Sequence, residues 1–370
     1  MTKAVTLFFD NPLIGEVLDP DSFEVLRYGG VEVQMAYLIR ELLKTDLYQV
    51  VIITDKPFYY PGVEIRPHPT LIQRGAPVVS RWINAYRKKK VFRACTKRRI
   101  FLPWYMNNSV ALIDEAIRMG VSTVFRVSGD AVVDGSDILP AAHLELVYAY
   151  FPRFDKVICQ SEYQQRLLVE RWGIDAPVIV MGTDSIAPSL AKNSLLWVGR
   201  CIELKQPKLF LHIARVFPDI ECRMIMTTPH TDTMFYDALV EEAESISNLV
   251  IETNVPHCEM PQRYARALAF ISTSLTEGAP NVFAEAGMAG TPVFSLNVNP
   301  AGVLENGELG MCAQGDFLKL CKSLKAYLDQ TGNEQLIRQE QARVFAQSHW
   351  SIEQMVASYR RIFEELMSDE

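Results

Sequence analysis

The sequence predicts an α/β protein built from two Rossmann-like, doubly wound domains, each a parallel sheet with helices on both faces. Three observations predict it. Short β-rich runs alternate with helical patterns from one end of the chain to the other. The chain has 370 residues, about two domains of ordinary size. Its composition, 49% hydrophobic and 22% charged, is that of an average globular protein, which sets aside collagen-like, disordered and coiled-coil architectures.

In the first half, strands are expected at Val5–Phe9, Gln49–Thr54, Ser122–Val127, Lys156–Cys159 and Val178–Met181. Val31, Met35, Leu38, Ile39 and Leu42 fall on one face of a helix between the first two. In the second half, strands are expected at Ser194–Val198, Glu221–Met226, Leu249–Glu252, Ala269–Ser272 and Pro292–Phe294, each followed by a helix. The stretch from Thr183 to Asn193 is small and polar and contains Pro188, so the domain boundary is expected there. The expected division is 1–187, 188–350 and a closing helix over 351–370 that returns to the first domain. Ser351 with Gln354 three residues on suits its start, Trp350 can staple to Met355, and Met355, Tyr359, Ile362, Phe363 and Leu366 form one apolar face. Two such domains are expected to leave a cleft, at the C-terminal ends of their strands, where ligands bind.

Apolar runs reach only strand length, so no membrane span is expected. The opening Lys3–Phe9 stretch runs into Asp10-Asn11-Pro12 without a small-residue cleavage site and reads as a buried strand, not a secretory signal. The seven cysteines are odd in number and scattered, without a C-x-x-C, which fits a reducing cytoplasm better than a disulfide framework or a structural zinc site. Neither G-x-G-x-x-G, nor a Walker loop, nor G-x-S-x-G, nor H-E-x-x-H occurs, so dehydrogenase, P-loop ATPase, α/β-hydrolase and zincin chemistry lack their usual anchors. The six histidines, at 68, 143, 212, 230, 257 and 349, are not paired at metal-ligand spacing and read as surface or satisfied core residues.

Two stretches carry candidate chemistry. In Ser272-Thr-Ser-Leu-Thr-Glu277-Gly-Ala-Pro-Asn281-Val-Phe-Ala-Glu285, a buried strand ends in a polar loop and a helix starts near Pro280. The amides of that first turn make an anion site. Glu277 before the helix and Glu285 within it are suited to accept hydrogen bonds from sugar hydroxyls, although a solvated loop Glu and a helix-surface Glu would read the same way. In Leu195-Leu-Trp-Val198-Gly199-Arg200-Cys-Ile-Glu-Leu-Lys205, a strand delivers Arg200 and Lys205 opens the next helix. The pair suits a diphosphate, Arg as a planar fork and Lys as a point charge, and equally suits a solvated basic loop.

With these residues the chain resembles family 4 of the retaining, GT-B-fold, nucleotide-sugar-dependent glycosyltransferases. The E-x7-E element of that family matches Glu277…Glu285, its strand-G-R…K donor segment matches Gly199-Arg200…Lys205, and its N-terminal loop matches Gly29-Gly30-Val31-Glu32. Ser161-Glu162-Tyr163, Met181-Gly182-Thr183-Asp184 and the closing aromatic-rich helix are weaker echoes. The resemblance implies a GT-B fold, with Arg200 and Lys205 on the donor diphosphate, Glu285 on the ribose hydroxyls and Glu277 on hydroxyls of the transferred sugar. It implies that Gly278, Ala279, Pro280, Asn281, Val282 and Phe283 bring their backbone near sugar and phosphates, and that Gly30 lets the N-terminal loop approach the diphosphate. It further implies metal-independent transfer without a cofactor, and no Asp-x-Asp motif occurs. Members often carry a His after an N-domain strand. Here the strand runs Thr123-Val-Phe-Arg126-Val-Ser128-Gly129-Asp130, leaving Arg126, Ser128 or Asp130 to take that place. Asp130 is the candidate for acceptor activation or acceptor binding, against the plain reading of a turn Asp after Gly.

The net charge of −7 hides an asymmetry, because Glu64 to Asp114 enclose eleven basic residues and no acidic one. One dense basic segment in an acidic protein points to a local anionic partner, not to general nucleic-acid binding. Val79, Trp82, Ile83 and Tyr86 follow helical spacing and lead into Arg87, Lys88, Lys89 and Lys90. Attachment to an anionic membrane is the favoured reading, ahead of a solvated helix face or direct binding of an anionic acceptor. The expected protein is a retaining transferase of a hexosyl or N-acetylhexosaminyl group, from a UDP-sugar by preference, to a glycan or lipid-linked glycan in cell-surface polysaccharide synthesis. It is expected to be cytoplasmic, peripheral on the inner membrane face. The alternatives are a GT-B-fold sugar-nucleotide epimerase and a degenerate binding subunit.

Overall fold

The computed structural model describes residues 5–54, 56–67, 83, 85–86, 89–90, 93, 99–103, 106–135, 139–188, 191–227 and 233–368. The chain divides into two compact units. Met1–Ser22, Val31–Val180 and Glu353–Glu370 form the first, and Phe23–Gly30 with Met181–Ile352 form the second. The segment Phe23–Gly30, which the sequence reading leaves in the first domain, thus groups with the second unit.

In the first unit, six parallel strands stand in the order β3-β2-β1-β4-β5-β6. They are β1 (Val5–Asp10), β2 (Tyr48–Thr54), β3 (Val63–Pro67), β4 (Arg99–Pro103), β5 (Ser122–Arg126) and β6 (Lys156–Ile158). Every residue of β1 is buried, as a strand covered on both faces requires. Phe8, Val51, Ile53 and Phe101 join one core with Leu112, Ile113 and Ala116 of the helix Met106–Arg118. The helix Gly30–Leu43 is buried from Glu32 to Ile39, more completely than a one-sided apolar stripe predicts. Within it, Glu32 accepts from Asn11 Nδ2 at 2.9 Å, and Asn11 Oδ1 accepts the amides of Leu13 and Ile14 at 2.7 and 2.9 Å.

The closing helix, Ile352–Ser368, belongs to the first unit over nearly all its length. Tyr359, Ile362, Phe363 and Leu366 are buried as its spacing predicts. Each large apolar side chain so covered contributes roughly 1.5–3 kcal/mol. Phe363 meets the ring of Tyr48 edge-on, and Arg126 donates to the Tyr359 hydroxyl at 2.8 Å and to Gln160 Oε1 at 3.1 Å.

The second unit repeats the winding, with parallel order β12-β11-β10-β7-β8-β9. Its strands are β7 (Ser194–Arg200), β8 (Glu221–Thr227), β9 (Leu249–Thr253), β10 (Ala267–Ser272), β11 (Val293–Ser295) and β12 (Gly310–Cys312). Strand alternation divides its core in two. Leu195, Trp197, Met224, Met226 and Ile271 face one helical layer. Leu196, Ile225 and Phe270 face the other, with Phe283 and Ala284. Each unit is thus a Rossmann-like, doubly wound domain with a six-stranded parallel sheet, as the sequence predicts.

Some expectations fail locally. No strand spans Val178–Met181, where Val178 makes only an isolated bridge to Cys159. Strands β3, β4 and β12 were not expected. β3 is half polar (Val-Glu-Ile-Arg-Pro) at the sheet edge, β12 is three residues long, and β4 follows directly on the basic segment. Among the described residues, no helix is long and apolar enough to cross a membrane.

Candidate functional site

The site is assembled at the C-terminal ends of β7 and β10, neighbours in the second sheet. β7 ends at Arg200, which is exposed and makes no ion pair among the described residues. Gly199 sits where a Cβ would come within 3.0 Å of the Trp197 ring, so a small residue is needed beside that indole. Lys205 does not open a helix, as the sequence suggested. It closes a single 3₁₀ turn, Glu203–Lys205, and Gln206 then adopts φ +47° before the helix Pro207–Val216 begins. The left-handed residue breaks the two helical pieces apart and leaves the Lys205 side chain on the turn.

The loop after β10 is fastened to that turn. Trp197 Nε1 donates to Thr273 Oγ1 at 2.9 Å, and Thr273 Oγ1 donates to the Lys205 carbonyl at 2.7 Å. Leu275 N donates to the Leu204 carbonyl at 2.9 Å. Asn297 Nδ2 donates to the Ser274 carbonyl at 3.1 Å. On this frame, Glu277 Oε1 accepts from Lys205 Nζ in a short ion pair and from Ser274 Oγ at 2.8 Å. Both charged side chains are 16% exposed, so the pair is sheltered yet reachable.

The helix Asn281–Met288 follows, with Pro280 extended at ψ 108° just before it and not within its first turn as expected. Its first amides have no helical carbonyl behind them. The helix is held firmly. Phe283 is fully buried against Phe270, and a Cβ on Gly287 would stand 2.8 Å from that of Ala346. Asn281 Nδ2 donates to the Gly30 carbonyl at 2.7 Å, which brings the glycine pair of the Phe23–Gly30 segment to the helix start.

Glu285 lies one turn further on, 6% exposed, with Oε1 3.0 Å from His257 Nε2. His257 comes from the 3₁₀ turn His257–Glu259 after β9. Tyr28 stands against it, ring centroids 6.0 Å apart and planes at 89°, and donates its hydroxyl to the Val255 carbonyl at 3.0 Å. Asn254, at φ +56°, accepts the Leu26 amide on Oδ1 at 3.3 Å. Asn is the side chain that best tolerates that backbone.

The remaining sequence candidates lie in the first unit. Asp130 precedes the short helix Ala131–Asp134 and accepts from Gln164 Nε2 at 2.8 Å; burial pushes its carboxyl above the usual range. Arg126 is buried, and its guanidinium donates to Tyr359 and Gln160. Of the basic segment, Arg87 and Lys88 lie outside the described residues, as do Val79 and Trp82. Lys90 and Tyr86 are exposed, while Lys89 lies 3.9 Å from Glu115. Sequence reasoning missed Trp197, Thr273, Ser274, Tyr28 and His257. The usable signal for Thr273 and Ser274 was their place in the loop that ends a central strand.

Residues 192–330 match the family model described as glycosyl transferases group 1, the stretch that carries Arg200, Lys205, Glu277 and Glu285. The fold is the GT-B fold, and within it the second unit carries the group 1 glycosyl transferase match. Sucrose-phosphate synthase from Thermosynechococcus elongatus is similar with a TM-score of 0.79 and 15% identity, over 99% of this chain and 100% of that one. HepE from Anabaena, in complex with UDP and glucose, is similar with a TM-score of 0.76 and 12% identity, over 97% and 99%. The pneumococcal O-GlcNAc transferase GtfA, in complex with UDP and GlcNAc, is similar with a TM-score of 0.59 and 14% identity, over 76% and 60%. No curated protein sequence matches the chain.

Proposed function

We propose that this protein is a retaining glycosyltransferase that moves a hexosyl or N-acetylhexosaminyl group from a nucleoside-diphosphate sugar, UDP by preference, to a glycan or lipid-linked glycan acceptor. One observation carries the reading: the Lys205–Glu277 pair, braced by Ser274, stands at the loop that leads into the helix Asn281–Met288. A cation and a carboxylate beside a helix start suit the two ends of such a donor, the phosphates and the sugar.

In this reading Lys205, with the exposed Arg200, neutralises the diphosphate as it departs. Charge on the leaving group grows in the transition state, so fixed cations there lower the barrier and no metal is called for. The helix amides near Asn281 and Val282, approached across Gly278–Pro280, add to that field. Glu277 takes hydroxyls of the transferred sugar on Oε2, Glu285 takes the ribose hydroxyls, and Gly29-Gly30 closes on the diphosphate side. Asp130, half-buried and with its carboxyl pushed above the usual range by desolvation, is the candidate for activating or binding the acceptor. Exposed Lys90 and Tyr86 support attachment of the basic segment to an anionic membrane, which would place the enzyme where lipid-linked glycans are extended.

Thermal unfolding against UDP, GDP, ADP, TDP and their sugar conjugates tests the donor. A bound ligand at about 100 times its dissociation constant adds roughly 2.7 kcal/mol. The Arg200→Ala, Lys205→Ala double variant should lose that response, whereas Glu277→Ala should keep it and lose turnover. Full activity in both would sink the assignment.

A further inference from the structure

Among the described residues, Glu285 has a donor on only one of its two carboxylate oxygens. It projects from a helix whose neighbouring residues Phe283, Ala284 and Ala286 are fully buried, and its own side chain is 7% exposed. A carboxylate so placed needs donors on both oxygens. Among the described residues it has one, the His257 ring at Oε1. No protein donor reaches Oε2 among the described residues, and the side chain keeps a small exposed area. A carboxylate only accepts, so His257 must carry its proton on Nε2. The imidazole is in turn confined by Tyr28, itself tied to the Val255 carbonyl, and the Leu26 amide is tied to Asn254 in the same segment.

We propose that His257 is a positioning residue for the donor nucleotide. Its Nε2–H occupies Oε1 of Glu285 and fixes the carboxylate, so that Oε2 is the oxygen presented to the vicinal hydroxyls of the ribose. Tyr28 completes the wall behind the imidazole and makes the Phe23–Gly30 segment part of that subsite. The proposal rests on Glu285 being the ribose residue, and its test separates the two.

Dissociation constants are measured for the wild type, His257→Ala and His257→Gln with UDP (or GDP, if that is what the wild type binds) and with the matching 2′,3′-dideoxynucleoside diphosphate. Gln places an Nε2 donor at nearly the same reach. His257→Ala should weaken the ribonucleotide about ten-fold and leave the dideoxy form unchanged, and His257→Gln should recover most of the loss. A ribose preference that survives His257→Ala, or an equal loss for both ligands, overturns the role of His257 alone. A wild type that binds both nucleotides equally, or neither, overturns the ribose reading of Glu285 and this proposal with it.

Discussion

Lys205 and Glu277 are 72 residues apart in the chain and meet as an ion pair on adjacent loops of one sheet, with Ser274 donating to the same carboxylate oxygen. The arrangement leaves Glu277 Oε2 free of protein donors among the described residues. Lys205 and Glu277 thus satisfy each other before any ligand arrives, and a diphosphate would draw the ammonium off the carboxylate.

Coupling between the two follows directly. Lys205→Ala and Glu277→Ala should be non-additive in urea unfolding, with an interaction energy of about 0.5–3 kcal/mol. In the transfer assay, Glu277→Ala should lower kcat by about 10²- to 10³-fold, the range for loss of one preorganised transition-state contact. Additive unfolding energies would mean that the pair does not form in solution.

Gly30 and Asn281 make a second coupled pair. A Cβ at residue 30 would stand 2.7 Å from Asn281 Nδ2, so Gly30→Ala must turn that amide away and lose its hydrogen bond to the residue 30 carbonyl. The cost should be about 1 kcal/mol. Asn281→Ala should cost a similar amount, and the double variant no more than either single one. Nucleotide affinity measured on all three checks this. A double variant twice as damaged as the singles would place the two residues in separate roles.

The first strands of each sheet were legible because β1, β2 and β7 carry apolar residues on both faces, a pattern that few other elements produce. β3 was not, since Glu64 and Arg66 break its apolar run, and they pair with each other once the edge forms. Glu277, Glu285 and Lys205 could be singled out because they stand in loops and at helix starts that follow predicted strands, in a pattern that resembles a known family. Tyr28 and His257 could not. Tyr28 reaches the Val255 carbonyl across 227 residues, and only the fold brings such distant segments together. Lys205 shows a middle case: its place after β7 was expected, but the left-handed Gln206 that ends its turn leaves no trace in helical periodicity.

Acid should expose the role of Glu115. Its side chain is 2% exposed, and hydrogen bonds from Arg93 and then Arg118 hold its carboxyl at about 2, against 4.5 for a free Glu. A lowered pKa stabilises the fold above the unfolded value and loses that contribution as protons bind to the native state. Stability should therefore fall as pH drops from about 4.5 towards about 2. Glu115→Gln should lie below the wild type at neutral pH and be flatter across that window. Parallel unfolding curves for the two proteins would show that the arginines do not hold this carboxylate.

Arg126 offers the sharpest test of how the closing helix is held. Its guanidinium is buried, with one arm donating to the Tyr359 hydroxyl and the other to Gln160, which in turn donates to the Val127 carbonyl at 2.6 Å. Tyr359→Phe removes one oxygen and keeps the ring, so the apolar packing survives while a buried charge loses an acceptor. The expected cost is about 1–3 kcal/mol. At roughly 2–4 °C per kcal/mol, calorimetry should find the first unit melting several degrees lower. Nucleotide affinity should not move, because Arg126 and Tyr359 both belong to the first unit and Lys205, Glu277 and Glu285 to the second. An unchanged midpoint would mean that the Arg126 guanidinium finds another acceptor without loss. A drop in midpoint with an equal drop in affinity would mean that the anchor of this helix reaches the donor site.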